Sequence, residues 1–291
     1  MRARLLVSMA VLFTFVNFST PELSATSAAD HLPFTLTDTG QILVPVMVNS
    51  SGPYQFVLDT GANRSAISDT LAARLSLQPV AATEIVSSTG SALSSVVRLQ
   101  IISLGGHQAS GVLAPVLKAD EFHAVHGQAD GIVGQDVLID AHYTLDYRRK
   151  RVIWLGTDGD PGPGTRLALR RSEGRLIVEL PQSSAPESVA LLVPDSGAST
   201  LVLFQQNGRT AFAVAALSGT ASVTTVTGQS LVQTAVVPKL RLGKEMLWDQ
   251  PAVLLPGPPV VGEIRLDGLL PLSLFSSVTF NGRDHYMVAK R

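Results

Sequence analysis

The chain contains no cysteine, which excludes disulfides, a thiol nucleophile, thiolate metal sites and a lipid-bearing cysteine anchor. Charge is scarce too: Asp, Glu, Lys and Arg make up 15% of 291 residues, with a formal net charge of −1. That leaves no electrostatic footprint for nucleic acid, and none is expected as a partner. The one basic run, 148–151, lies between Tyr147 and Val152-Ile153-Trp154 and is read as a hairpin turn with solvated charges. Apolar runs long enough to span a bilayer are missing beyond the N-terminus. No Gly-x-Ser-x-Gly elbow marks a serine nucleophile. The glycine-rich stretch 156–164 lacks the strand–loop–helix context and the lysine of a phosphate loop. His123 and His126 have a spacing that suits a metal, but no cluster of acidic residues and histidines completes it. They are read as surface histidines, and neither a metal nor a cofactor is expected.

Hydrophobic residues, by contrast, make up 45% of the chain, enough for a buried core in two compact domains. Arg2 and Arg4 precede an apolar stretch at 5–18, and small residues follow at 25–29. A positive start, a short apolar segment and a small-residue cut site read as a secretory signal peptide over 1–29, cleaved after Ser27 or Ala29. The expected location is the periplasm or the exterior, with no membrane span after signal removal.

Short β-branched runs separated by Gly, Ser and Asn predict a mainly β, all-β class fold with one or two short helices. Strands are read at 41–48 and 54–58, a helical segment after Ser68, and a hairpin over 143–155. The stretch 156–164 has a linker's composition. It divides the chain into an N-terminal domain, 30–155, and a C-terminal domain, 165–291.

The second domain repeats the first. Residues 56–67 read FVLDTGANRSAI and residues 192–203 read LVPDSGASTLVL. Asp59 and Asp195 are 136 positions apart. Thr89-Gly90 recurs as Thr227-Gly228 and Leu104-Gly105 as Leu242-Gly243, each 138 on. Asp130-Gly131-Ile132-Val133 recurs as Asp267-Gly268-Leu269-Leu270, 137 on. Ordered recurrence of four features points to an internal duplication.

Each repeated aspartate ends an apolar run, so each carboxylate is carried by a buried strand and needs a compensating reason to be there. A two-fold arrangement would bring them together, and two adjacent carboxyl groups share one proton over a broad pH range. The ionised member then acts as general base on a water, and the protonated member donates to a peptide carbonyl. Thr60 and Ser196 would hydrogen-bond across the axis, while Gly61 and Gly197 let the backbone approach and donate N–H groups. Asp130 and Asp267, each before a glycine, are read as loop-capping residues.

These motifs resemble those of the retropepsin and pepsin-like aspartic proteases, in particular bacterial retropepsin-like proteins. The resemblance rests on Asp59-Thr60-Gly61-Ala62, on Asp195-Ser196-Gly197-Ala198 and on the two later apolar loops, and it extends over about residues 32–291. It implies two β-barrel lobes in one chain with a cleft between them, and an aspartic endopeptidase acting on peptide or protein substrates as a monomer. Flap hairpins are implied around Thr89-Gly90 and Thr227-Gly228. Pro194 and Pro271 depart from the pattern, and they mark the alternative of a catalytically silent peptide-binding protein. A homodimer that sets Asp59 against Asp59 is the third arrangement.

Overall fold

The computed structural model describes residues 6–8, 30–87, 90–182, 188–225, 228–257, 260–261 and 264–291. Of the segment read as a signal peptide, all but Leu6–Ser8 lies outside the described residues; those three pair in parallel with Ser222–Thr224. The fold is mainly β, as its composition and periodicity predict. No helix among the described residues is long and apolar enough to cross a membrane.

Strand Ile42–Val48 alternates buried and half-buried positions along its whole length, as expected of a strand with one face on a core. Asn49 and Ser50 turn the chain with positive φ (49° and 67°), and the return strand Ser51–Leu58 runs into Asp59. The turn is shorter than the gap between the strands read at 41–48 and 54–58, because the backbone resumes pairing at Ser51. Ser68 caps helix Asp69–Arg74 by accepting the Leu71 N–H at 3.2 Å, with Asp69 in the first turn.

Eight strands form a sheet in the order Thr35–Leu36, Ile42–Val48, Ser51–Leu58, Gly131–Val133, Ala66–Ser68, His107–Leu117, Gly90–Leu104, Pro79–Ser87. The larger sheet contains a run in matching order: Thr165–Ser172, Arg175–Pro181, Val189–Asp195, Gly268–Pro271, Leu201–Gln205, Glu245–Pro256, Gly228–Leu242, Ala215–Thr225. Strand directions match as well. Gly131–Val133 runs parallel to Phe56–Leu58 and antiparallel to Ala66 and Ile67. Gly268–Pro271 runs parallel to Leu192–Asp195 and antiparallel to Val202 and Leu203.

Strands from both halves meet in the remainder of the larger sheet. His142–Asp146 pairs with Ser277–Asn281, and Thr144 and Thr279 share a 2.7 Å hydroxyl hydrogen bond. A single apolar core runs through both halves, from Val44 and Phe56 to Tyr143, Val178, Leu203 and Phe280. Smaller clusters form behind each aspartate-bearing strand. Val57 packs with Ala62, Ile85 and Phe122, and Val193 packs with Val202, Val223 and Val232. Each hairpin read as a flap is therefore anchored through its inner face to the strand that carries an aspartate.

Candidate active site

Asp59 and Asp195 are both fully buried. Each is delivered by the end of a strand and held by the turn that follows. Oδ1 of Asp59 accepts the N–H groups of Gly61 (2.9 Å) and Ala62 (3.1 Å). Oδ1 of Asp195 accepts those of Gly197 (2.7 Å) and Ala198 (3.0 Å). The second oxygen of each, Oδ2, is buried and meets no N–H or O–H donor from elsewhere in the described residues. The two carboxyl groups are close enough to act on each other's protonation, and such a pair is favourable only while it shares a proton.

The loops are locked by a reciprocal set of bonds. The Thr60 N–H donates to Ser196 Oγ (3.0 Å), and the Ser196 N–H donates to Thr60 Oγ1 (2.9 Å). The Thr60 hydroxyl donates to the Pro194 carbonyl (2.8 Å) and the Ser196 hydroxyl to the Leu58 carbonyl (2.7 Å). Only a short hydroxyl residue next to each aspartate both accepts and donates in this way. Pro194 is accommodated because the site uses its carbonyl oxygen. Gly197 has its own steric reason: a Cβ there would lie 2.9 Å from Asp59 Oδ2.

The second apolar loop supports each aspartate from below. The Asp59 N–H donates to the Val133 carbonyl (3.0 Å), and the Gln135 side chain donates to the Thr60 carbonyl (2.8 Å). Asp130 and Asp267 cap these loops. Each accepts a strand N–H through Oδ2, from Gln55 (3.0 Å) and from Leu191 (2.9 Å) respectively.

Burial pushes the Asp59 carboxyl up from 3.8 to about 6, against the pull of the Gly61 and Ala62 N–H groups and of the Arg175 charge. Burial, reinforced by the charge of Asp59, also holds Asp195 well above the usual carboxylate range. The pair therefore keeps one proton through mildly acidic pH.

Of the flap residues read from sequence, Thr89 and Thr227 lie outside the described residues. Gly90 and Gly228 begin the return strands of the two hairpins, opposite Ser87 and Thr225. The reading of His126 as a surface residue is corrected. It is fully buried on helix Ala119–His126, against Phe122, with Nδ1 hydrogen-bonded to the Gln41 side chain. Gln41 in turn donates to the Gly197 carbonyl at 3.5 Å. The helix itself was not foreseen, because 119–126 carries only a weak apolar stripe.

Sequence reasoning also missed Arg175, the largest fully buried side chain among the described residues. A signal was available. Gly40-Gln41 and Gly174-Arg175 occupy matching places before the two aspartate-bearing hairpins.

Comparison with known families agrees with this geometry. Residues 44–137 match a family model described as aspartyl protease. Over this segment, less than half of its length, the chain is similar to aspartyl proteases. The matched segment carries Asp59-Thr60-Gly61-Ala62 and ends within Gln135–Leu138, so it contains one complete aspartate loop with its supporting loop. No curated protein matches the chain.

Proposed function

We propose that the protein is an aspartic endopeptidase in which Asp59 and Asp195 form one catalytic dyad. The observation that carries this reading is the pair of fully buried carboxyl groups that act on each other's protonation, each held through Oδ1 by two backbone N–H groups while its Oδ2 is left without a donor. Such an arrangement favours the singly protonated pair, with Oδ1 of each aspartate fixed and Oδ2 left to react.

In the first step a water held by the dyad attacks the peptide carbonyl carbon and a C–O bond forms. The water proton passes to the ionised carboxylate, and the protonated carboxyl gives its proton to the carbonyl oxygen. The neutral tetrahedral diol then collapses. The C–N bond breaks, the nitrogen takes the proton held by the first aspartate, and a hydroxyl proton returns to the second. The dyad ends as it began, with one proton. Thr60, Ser196, Gly61, Ala62, Gly197 and Ala198 hold it rigid during these transfers.

The same reading assigns 30–155 and 165–291 to two lobes of one duplicated unit, joined by the linker 156–164. The matching strand order and the offsets of 134 to 138 between equivalent residues support it. Substrate lies between the lobes, beneath the hairpins around Gly90 and Gly228, and a monomer suffices because one chain supplies both aspartates. Export to the periplasm or beyond rests on the N-terminal pattern of charge and apolarity.

A peptide carrying a secondary alcohol in place of the scissile carbonyl mimics the diol and tests the dyad directly. Calorimetry is expected to record binding by the parent and weakening of at least tenfold by both Asp59→Asn and Asp195→Asn. Binding that ignores both substitutions overturns the dyad and favours a silent peptide-binding protein.

A further inference from the structure

The two halves are not equivalent around the dyad. Gly40 and Gly174 both take positive φ (85° and 70°), and each is followed by a buried polar side chain. On one side this is Gln41, a neutral amide, which reaches the Gly197 carbonyl at 3.5 Å and His126. On the other side it is Arg175. Gly174 packs against Asn63, four residues after Asp59, where a Cβ would lie 3.7 Å from Asn63 Cβ. Arg175 follows it into strand Arg175–Pro181, whose neighbour Val189–Asp195 carries the second aspartate. Its side chain is fully buried, and its charge acts on Asp59.

We propose that Arg175 is a positioning residue that assigns the two roles within the dyad. Its guanidinium, carried by the second half onto the first half's aspartate loop, keeps Asp59 the ionised member and leaves the shared proton on Asp195. Asp59 is then the base that takes the water proton, and Asp195 the acid that protonates the carbonyl oxygen. This deepens the dyad reading and rests on it.

The other groups around the pair do not supply this asymmetry. Glu173, on the same turn as Arg175, is exposed and favours the protonated guanidinium. His126, behind Gln41, is held neutral by burial, its pKa lowered to about 3. Tyr147, near Asp195, has its ionisation pushed up by burial and by the Asp195 charge, so it is neutral. Arg64 acts on Asp136, which lies behind the loop and hydrogen-bonds Ser65. Among the described residues Arg175 is thus the cation that acts on Asp59, and it stays charged, since burial lowers its pKa only to about 10.

The test is titration of the dyad by NMR in protein labelled at aspartate Cγ. In Asp195→Asn the remaining Asp59 is expected to titrate about one to three pH units below the remaining Asp195 of Asp59→Asn, the size of shift an adjacent opposite charge produces. Adding Arg175→Gln to Asp195→Asn should raise the Asp59 titration by a similar amount, and Arg175→Lys should largely restore it. In the parent background, Arg175→Gln should move both limbs of the cleavage pH profile toward alkaline pH, a displacement that a merely structural role would not produce. Equal titration of Asp59 and Asp195 in the two single variants overturns the assignment, as does an Asp59 titration that ignores Arg175→Gln. If Arg175→Gln does not fold, the comparison of the two Asn variants decides alone. If the protein cleaves nothing, the dyad's catalytic role falls, while the titrations still decide what Arg175 does.

Discussion

Burying Asp59 imposes a pH-dependent burden on stability that its removal should lift. Its pKa stands at about 6 in the folded chain against an ordinary 3.8. A raised folded-state value means that the unfolded chain releases the proton first. The burden is therefore absent below pH 3.8, grows between 3.8 and 6, and is complete above 6. A rise of that size corresponds to about 3 kcal/mol. Asp59→Asn keeps the turn, since the amide oxygen can still accept from Gly61 and Ala62 and its N–H₂ can donate to the Asp195 carboxylate. Urea unfolding of both purified proteins at pH 3.5 and 7.5 measures the gap between them. The variant is expected to gain about 3 kcal/mol on the parent between those pH values, and relief of the Asp195 carboxyl from its charged neighbour adds in the same direction. Groups common to both proteins, Asp136 and His126 among them, cancel in the difference. A gap that does not change with pH would refute the burial of Asp59 as an energetic burden and with it the shared proton.

Other outcomes follow from single contacts. Thr60→Val removes the hydroxyl that bonds Pro194 and Ser196, and should lower stability by about 1–3 kcal/mol in denaturant unfolding and depress cleavage, whereas Thr60→Ser should retain most of both. Gly197→Ala brings a methyl to within 2.9 Å of Asp59 Oδ2, so cleavage should fall at least tenfold while far-UV circular dichroism is unchanged. His126, neutral down to about pH 3, should show no imidazole titration by NMR between pH 8 and 4.

Much of the site could be read from the sequence because its parts are local. Asp-Thr-Gly-Ala and Asp-Ser-Gly-Ala each build a turn whose own N–H groups hold its carboxylate, so four residues define it. The cap at Ser68, the hairpin read over 143–155 and the loop-capping Asp130 and Asp267 are legible for the same reason. The contacts across the halves were not. Gln41 hydrogen-bonds Gly197, 156 positions on, and Arg175 acts on Asp59, 116 positions back, and nothing local distinguishes them from ordinary strand residues. His126 was misread because its burial is set by Phe122 and Gln41, not by its own helix. The pairing of His142–Asp146 with Ser277–Asn281, which joins the halves, is likewise a long-range choice that periodicity cannot reveal.

Cleavage of a peptide library from pH 3 to 8 by the purified protein, alongside Asp59→Asn and Asp195→Asn, tests the central claim most directly. The account predicts hydrolysis by the parent at mildly acidic pH and its loss in both variants. A folded parent that cleaves nothing at any pH, or an Asp195→Asn variant that cleaves as the parent does, would contradict it.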